Sequence, residues 1–140
     1  MAKRRSRRQV TQHAAGTPKT EQLLHFIELD GFVDDWKRLR LTDGDLVDLE
    51  MTLMAGWRKA PVVEKTGGLR KLRFAPKHWN VGKRGAIRVC FKCFEEFGIV
   101  LLIVAYGKNE RDDLSETAKA DIRQFIREAE QEIRRRKGIV

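Results

Sequence analysis

An uninterrupted apolar run, IVLLIVAY from Ile99 to Tyr106, is the feature that most constrains the fold of this chain. Eight residues are too few to span a membrane, which takes about 20, but they match the usual length of a strand. The run lacks the alternation of apolar and polar residues that marks a strand with one solvated face. We therefore expect it to be buried on both faces near the middle of a sheet, in a soluble protein.

Three other segments predict the remaining strands of that sheet. Leu23–Leu29 is the first, and the alternating segments Leu69–Ala75 and Ala86–Phe94 are the next two. The connections that join the last two segments to each other and to the apolar run have the length of hairpin connections. These strands should therefore be antiparallel.

Apolar residues repeat at helical spacing in three places. One stripe begins at Phe32, a second follows Thr42 and a third follows Ser115; threonine and serine are both suited to capping a helix N-terminus. The elements together predict an α+β fold with an antiparallel sheet of about four strands, two helices in the N-terminal half and a C-terminal helix. We expect them to form one domain over residues 21–137.

Positive charge is concentrated in two parts of the chain, whose net charge is +9. Residues 1–20 hold six Lys or Arg and no acidic residue, and Gly16 and Pro18 interrupt them, which predicts a basic, disordered arm. This arm lacks the apolar segment of a signal peptide, so we expect a cytoplasmic protein with no membrane partner. Between Lys65 and Lys92 there are nine basic residues and no Asp or Glu. Such a pattern is expected of a surface that binds a polyanion.

The alternation of strand side chains predicts that four of these cations share one face of the sheet. In Leu69–Ala75, Lys71 and Arg73 point away from the apolar side chains. In the next strand, Arg88 and Lys92 alternate with apolar residues in the same way. If the apolar faces of both strands pack on one core, the four cations emerge together on the opposite face.

Cys90 and Cys93 have the C-x-x-C spacing of some metal and redox sites. There is no second pair of cysteines and no nearby His at ligand spacing, so the zinc signal is weak. An odd separation within a strand also sends the two side chains to opposite faces. We interpret them as ordinary strand cysteines, and we predict neither a metal nor another cofactor.

Several segments resemble the RelE/HigB superfamily of bacterial toxin–antitoxin toxins, most closely its HigB-like branch. They are GGLRKLRFA (Gly67–Ala75), GKRGAIRVCF (Gly82–Phe91), IVLLIVAYGKNERDDLS (Ile99–Ser115) and ETAKADIRQFI (Glu116–Ile126). The most specific pieces are GLRKLRFA and YGKNERDDLS. The resemblance covers roughly residues 26–133 and leaves out the basic arm. It implies a RelE/ParE-like fold and a metal-independent endoribonuclease that cleaves messenger RNA, usually on the ribosome, and so inhibits translation.

The resemblance also implies site residues. Lys71 and Arg73 stand where the catalytic basic residues of that family's strand lie, and Arg88 stands at the phosphate-binding arginine of the next strand. Lys108 follows the last strand at the basic position of the motif. The remaining cations are expected to attract RNA or the ribosome in general, with salt-dependent binding; they are Arg70, Lys77, Lys83, Arg84 and Lys92.

Elementary chemistry agrees with such a site. RNA carries its own nucleophile, the 2′-OH, so a nuclease needs to orient that group, neutralise charge on the phosphoryl oxygens and move two protons. Arg73 and Arg88 can contact the phosphate, and preorganised cations at developing charge are the larger catalytic term. We hypothesise that Lys71 is the general base and that Lys108 protonates the leaving oxygen or holds its phosphate.

The resemblance implies a cognate antitoxin as partner, commonly a small helix-turn-helix protein. Two other functions stay open. ParE-like relatives use a similar scaffold to inhibit DNA gyrase, but they lack the clustered catalytic cations, so Lys71, Arg73 and Arg88 disfavour that function. A non-catalytic basic module would bind RNA without cleaving it.

Overall fold

The computed structural model of the protein describes residues 4–11, 23–79 and 86–138. This part of the chain forms one sheet and three α-helices, with short 3₁₀ turns after the second helix and between the last two strands. In chain order the elements are β1 (Arg4–Thr11), β2 (Leu23–Leu29), α1 (Asp30–Arg38), α2 (Asp43–Gly56), β3 (Arg70–Phe74), β4 (Ile87–Phe94), β5 (Ile99–Gly107) and α3 (Glu116–Arg136). The predicted α+β fold is confirmed, with two helices in the N-terminal half and one at the C-terminus.

The strands lie in the order β1-β2-β5-β4-β3. β4 pairs antiparallel with β3 and with β5, as predicted. β2, however, runs parallel to β5, so the prediction of an antiparallel sheet is wrong for this pair. Between these two strands the chain forms two helices and a hairpin, which is long enough to bring it back for a parallel pairing.

Strand β1 lies within the segment predicted to be a disordered arm. It pairs antiparallel with β2, so residues 4–11 differ from that prediction. The edge of a strand offers N–H and C=O groups to any neighbouring backbone, whatever the side chains of that neighbour are. The basic and polar composition of this segment therefore does not predict whether it pairs with β2. The other residues of the predicted arm, 1–3 and 12–20, lie outside the described residues.

Each face of the sheet is covered by helices. In β4, Ile87, Val89 and Phe91 pack with α1 and α2, whereas Cys90 and Phe94 pack with α3. This alternation matches the sequence prediction and separates two apolar cores, one on each side of the sheet.

The central strand is buried on both faces, as its sequence predicts. Val100, Leu102 and Ala105 of β5 belong to the core under α1 and α2, and Leu101 and Tyr106 belong to the core under α3. All five are completely buried. This strand, which lacks polar alternation, therefore contributes side chains to both cores.

Helices α2 and α3 begin at the predicted caps. Thr42 Oγ1 accepts a hydrogen bond from Asp45 N at 3.1 Å, and Thr42 N donates to Asp45 Oδ2 at 2.9 Å. Ser115 Oγ accepts from Ala118 N at 3.1 Å. Such caps satisfy backbone donors that have no partner inside the helix. Of the described helices, none is both long and apolar enough to cross a membrane.

Helix α1 holds the second half of β5, with which β2 does not pair. Asp35 Oδ2 accepts from Ala105 N at 2.9 Å, and Arg38 Nη2 donates to Ala105 O at 3.3 Å. Arg38 also donates to both carboxylate oxygens of Glu110, at 2.8 and 3.0 Å. Glu110 in turn accepts from Gly107 N at 2.9 Å. These contacts fix the end of β5 and the loop that leads to the site.

Candidate functional site

A cleft of about 770 Å³ lies beside β3 and the start of β4. Among the residues that the structure describes, four cations and one carboxylate line it: Lys59, Lys71, Arg73, Arg88 and Asp112. The volume is in the range of pockets that hold small ligands. The excess of positive charge makes the cleft suited to an anionic ligand.

Strand pairing explains why three of the predicted cations meet here. Arg73 lies directly opposite Arg88, and Lys71 lies opposite Cys90. Because strand side chains alternate, Lys71, Arg73 and Arg88 share the face of the sheet that also carries Cys90. The structure therefore brings together the three strand cations that the sequence assigns to catalysis.

Arg88 is the most buried of these cations, with 7% of its surface exposed. Its Nη1 donates to Ala86 O at 2.7 Å, and it forms no ion pair with a carboxylate among the described residues. A guanidinium group has five N–H donors and stays charged, and a buried charge without a counter-charge is costly. An anion that enters the cleft would supply the missing partner.

Lys71 differs from Arg88 because it has a counter-charge. Its Nζ lies 3.5 Å from Asp113 Oδ1, and Asp113 Oδ2 lies 3.6 Å from Lys119 Nζ. The backbone N–H of Leu114 and the two ammonium groups lower the pKa of Asp113 below its usual value. The ammonium group of Lys71 is thus held by a carboxylate, an arrangement that does not favour the general-base role hypothesised for this lysine.

Lys108 lies near the cleft but does not line it. It directly follows β5, whose last residue, Gly107, pairs with Ile87 at the start of β4. The side chain of Lys108 is exposed. It can therefore reach a long substrate at this end of the sheet, but the structure does not place it with the three strand cations.

Arg70 faces the other side of the sheet, although the sequence assigns it to RNA binding. It lies opposite Phe91, and it donates to Ala60 O at 2.7 Å and to Arg58 O at 3.1 Å. Its guanidinium carbon lies 5.1 Å from the centre of the Trp57 ring. This arginine joins β3 to the turn that follows α2, which is a structural role.

The other predicted RNA-binding cations lie apart from the cleft or outside the described residues. The exposed Lys77 has its Nζ 3.7 Å from Asp48 Oδ1. Lys92 shares the face of Arg88 but lies four residues along β4, which is about 13 Å at the usual strand rise. Lys83 and Arg84 are in the segment 80–85, outside the described residues.

Sequence reasoning missed four charged residues of this region. Lys59 and Asp112 line the cleft, and Asp113 and Lys119 form ion pairs beside it. The two aspartates stand in the segment YGKNERDDLS that carries the family resemblance, so their presence there was a usable signal. Lys59 ends the 3₁₀ turn that follows α2, and no pattern in the sequence relates it to β3.

Cys90 and Cys93 lie on opposite faces of the sheet, as their spacing predicts. Burial raises the pKa of Cys90 to about 12 and that of Cys93 to about 11. Both thiols therefore stay protonated near neutral pH, the form that is a poor metal ligand and a poor nucleophile. Within residues 4–11, 23–79 and 86–138, no group of three His, Cys, Asp or Glu side chains lies close enough to hold a metal ion.

No model of a known protein family matches the chain. The chemistry of the cleft is therefore the guide to a function. Its most informative features are Arg88, which is buried and has no carboxylate partner among the described residues, and the neighbouring Arg73 and Lys71.

Proposed function

We propose that the protein is the toxin of a toxin–antitoxin system: a metal-independent endoribonuclease that cleaves messenger RNA on the ribosome, in the cytoplasm, and so stops translation. The observation that carries this proposal is the burial of Arg88 in a cationic cleft without a carboxylate partner among the described residues. A phosphodiester is an anion that can accept two parallel hydrogen bonds from a guanidinium group.

The proposed reaction needs no nucleophile from the protein. The 2′ oxygen of one nucleotide attacks the adjacent phosphorus, and the bond from phosphorus to the 5′ oxygen breaks. The products are a 2′,3′-cyclic phosphate and a 5′-hydroxyl. Arg73 and Arg88, which face each other across two strands, would neutralise the charge that develops on the phosphoryl oxygens.

A toxin of this kind needs a neutralising partner, which we propose is a cognate antitoxin of the helix-turn-helix type. An acidic segment of that partner would complement the four cations of the cleft. Binding there would exclude RNA from Arg73 and Arg88.

The first test is induction of the chain from a tightly controlled promoter in bacterial cells, with RNA 5′ ends mapped within minutes. The Lys71→Ala/Arg73→Ala double variant removes two cleft cations and leaves the buried Arg88 in place. The matched control is Arg127→Ala, which removes an exposed cation of α3 that does not line the cleft. Purified protein with ribosomes and a short message then identifies the chemical ends of the products.

The proposal predicts growth arrest and new 5′ ends inside translated messages for the native chain and Arg127→Ala, but not for the double variant. Growth arrest without RNA cleavage would contradict it and favour a gyrase inhibitor. Binding of RNA or ribosomes without cleavage would also contradict it, and would favour the non-catalytic binding module.

A further inference from the structure

We propose that two adjacent aspartates direct proton transfer in this site. Asp112 accepts the proton of the 2′-OH, and Asp113 positions the ammonium group of Lys71, which donates a proton to the leaving 5′ oxygen. This inference rests on the proposed function and goes beyond it, because it assigns the base and the acid. It also reverses the role that the sequence suggests for Lys71.

The assignment of Asp112 follows from the composition of the cleft. The other charged residues of the described chain that line it are Lys59, Lys71, Arg73 and Arg88, all cations. Arginine is not deprotonated in proteins, so neither guanidinium group can accept a proton. Asp112 is exposed, and its side chain forms no hydrogen bond or ion pair with the part of the chain that the structure describes. Its carboxylate oxygens are therefore available to a bound nucleotide.

The assignment of Lys71 follows from its contact with Asp113. Asp113 Oδ1 accepts a hydrogen bond from Leu114 N at 2.7 Å, which fixes the carboxylate at the start of α3. The same oxygen lies 3.5 Å from Lys71 Nζ, and Lys119 binds the other oxygen from α3. Lys71 also lines the cleft, so its ammonium group can reach a ligand there. Asp113 is thus a positioning residue that acts through Lys71.

Each proton has a defined donor and acceptor in this scheme. The O–H bond of the 2′-hydroxyl breaks, and its proton goes to a carboxylate oxygen of Asp112 as the 2′ oxygen bonds to phosphorus. The bond between phosphorus and the 5′ oxygen breaks with its electron pair on that oxygen, which takes a proton from the Lys71 ammonium group. Afterwards Asp112 loses a proton to water and Lys71 regains one.

A substrate with sulfur in place of the bridging 5′ oxygen separates the acid from the base, because a thiolate leaves without protonation. The assay uses the purified full chain with ribosomes that carry a short synthetic message with either linkage at the scissile position. The variants are Asp112→Asn, Asp113→Asn and Lys71→Met. Asp121→Asn, an exposed aspartate of α3 outside the cleft, is the matched control.

We expect Lys71→Met to lose about 100-fold in rate on the oxygen linkage and to recover to near the native rate on the sulfur linkage. Asp112→Asn should lose about 100-fold on both linkages. Asp113→Asn should lose about fivefold on the oxygen linkage alone, as expected when an exposed ion pair is removed. Asp121→Asn should match the native protein on both.

Two results would overturn the assignment while leaving the proposed function intact. One is an equal loss on both linkages for Lys71→Met. The other is a rate for Asp112→Asn close to that of Asp121→Asn. If the native chain cleaves neither linkage, the proposed function itself fails.

Discussion

Arg73 of β3 lies directly opposite Arg88 of β4, so two guanidinium groups share one face of the sheet at its edge. Like charges that face each other across two strands destabilise a sheet. No ion pair with a described residue offsets the charge of the more buried one, Arg88. Such a pair lowers the stability of the fold. Destabilising features of this kind are concentrated at functional sites.

Replacing Arg73 with Glu should therefore stabilise the fold and, under the proposed function, abolish RNA cleavage. The new carboxylate would face Arg88, and opposite charges across two strands contribute about 0.2–1 kcal/mol. Urea unfolding at low salt measures the gain in the free energy of unfolding. Arg73→Gln, which only removes the repulsion, should lie between the native protein and Arg73→Glu. A free energy of unfolding below the native value for both variants would contradict the prediction.

Position 68 should not tolerate any side chain in place of Gly68. Position 31, in contrast, should tolerate an alanine in place of Gly31. Gly68, just before β3, has φ +100°, and a Cβ there would lie 2.8 Å from Lys92 Nζ. The lysine end can move, but the backbone conformation stays unfavourable, so Gly68→Ala should lower the free energy of unfolding by about 1–2 kcal/mol. A Cβ at Gly31 of α1 meets nothing within 4 Å, so Gly31→Ala should raise it by up to about 1 kcal/mol. Denaturant unfolding of both variants checks the contrast, and equal effects would contradict it.

The sequence predicts local features of the fold well. Thr42 and Ser115 mark the starts of two helices, and the alternation in β4 assigns Cys90 and Cys93 to opposite faces. The parallel pairing of β2 with β5 and the strand at Arg4–Thr11 were not predicted. A periodic pattern identifies a strand, but it carries no information about the direction or identity of a distant partner.

The same limit applies to the site. Lys71, Arg73 and Arg88 were predicted to converge because period-two alternation and one hairpin connection relate them. The ion pairs of Asp113 depend on how α3 packs over the sheet, which spacing cannot show. The orientation of Arg70, in contrast, could have been predicted from the sequence. Its neighbour Lys71 faces the cleft, so the alternation of strand side chains places Arg70 on the other side of the sheet.

Both cysteines should react slowly with thiol reagents while the protein is folded. The thiolate is the reactive form, and burial raises the pKa of Cys90 to about 12 and that of Cys93 to about 11, above the ordinary value of 9.0. Labelling at about pH 8 should be slow without denaturant and fast with it. A metal chelator should leave the unfolding temperature unchanged. Rapid labelling of one cysteine in the folded protein would contradict this prediction.

The ion pair between Arg38 and Glu110 should make part of the stability depend on pH. The hydrogen bonds from Arg38 lower the pKa of Glu110 from 4.5 to about 2. Because this pKa is depressed in the folded state, the contribution of Glu110 is present above about pH 4.5 and is lost as the pH falls towards 2. Glu110→Gln should therefore lower the free energy of unfolding at about pH 7 by up to about 1 kcal/mol, since the pair is partly exposed.

Thermal unfolding of the native protein and Glu110→Gln at several pH values tests this directly. The difference between them should shrink as the pH is lowered from about 7 to about 3, because the native carboxylate then becomes protonated in the unfolded state. Glu64→Gln serves as the control, since Glu64 is exposed and forms no ion pair with a described residue. It should unfold like the native protein at every pH. A difference for Glu110→Gln that stays constant with pH would contradict this prediction. It would mean that Glu110 stabilises the fold through packing or uncharged hydrogen bonds, and that the charge of its carboxylate does not help α1 to hold the loop after β5.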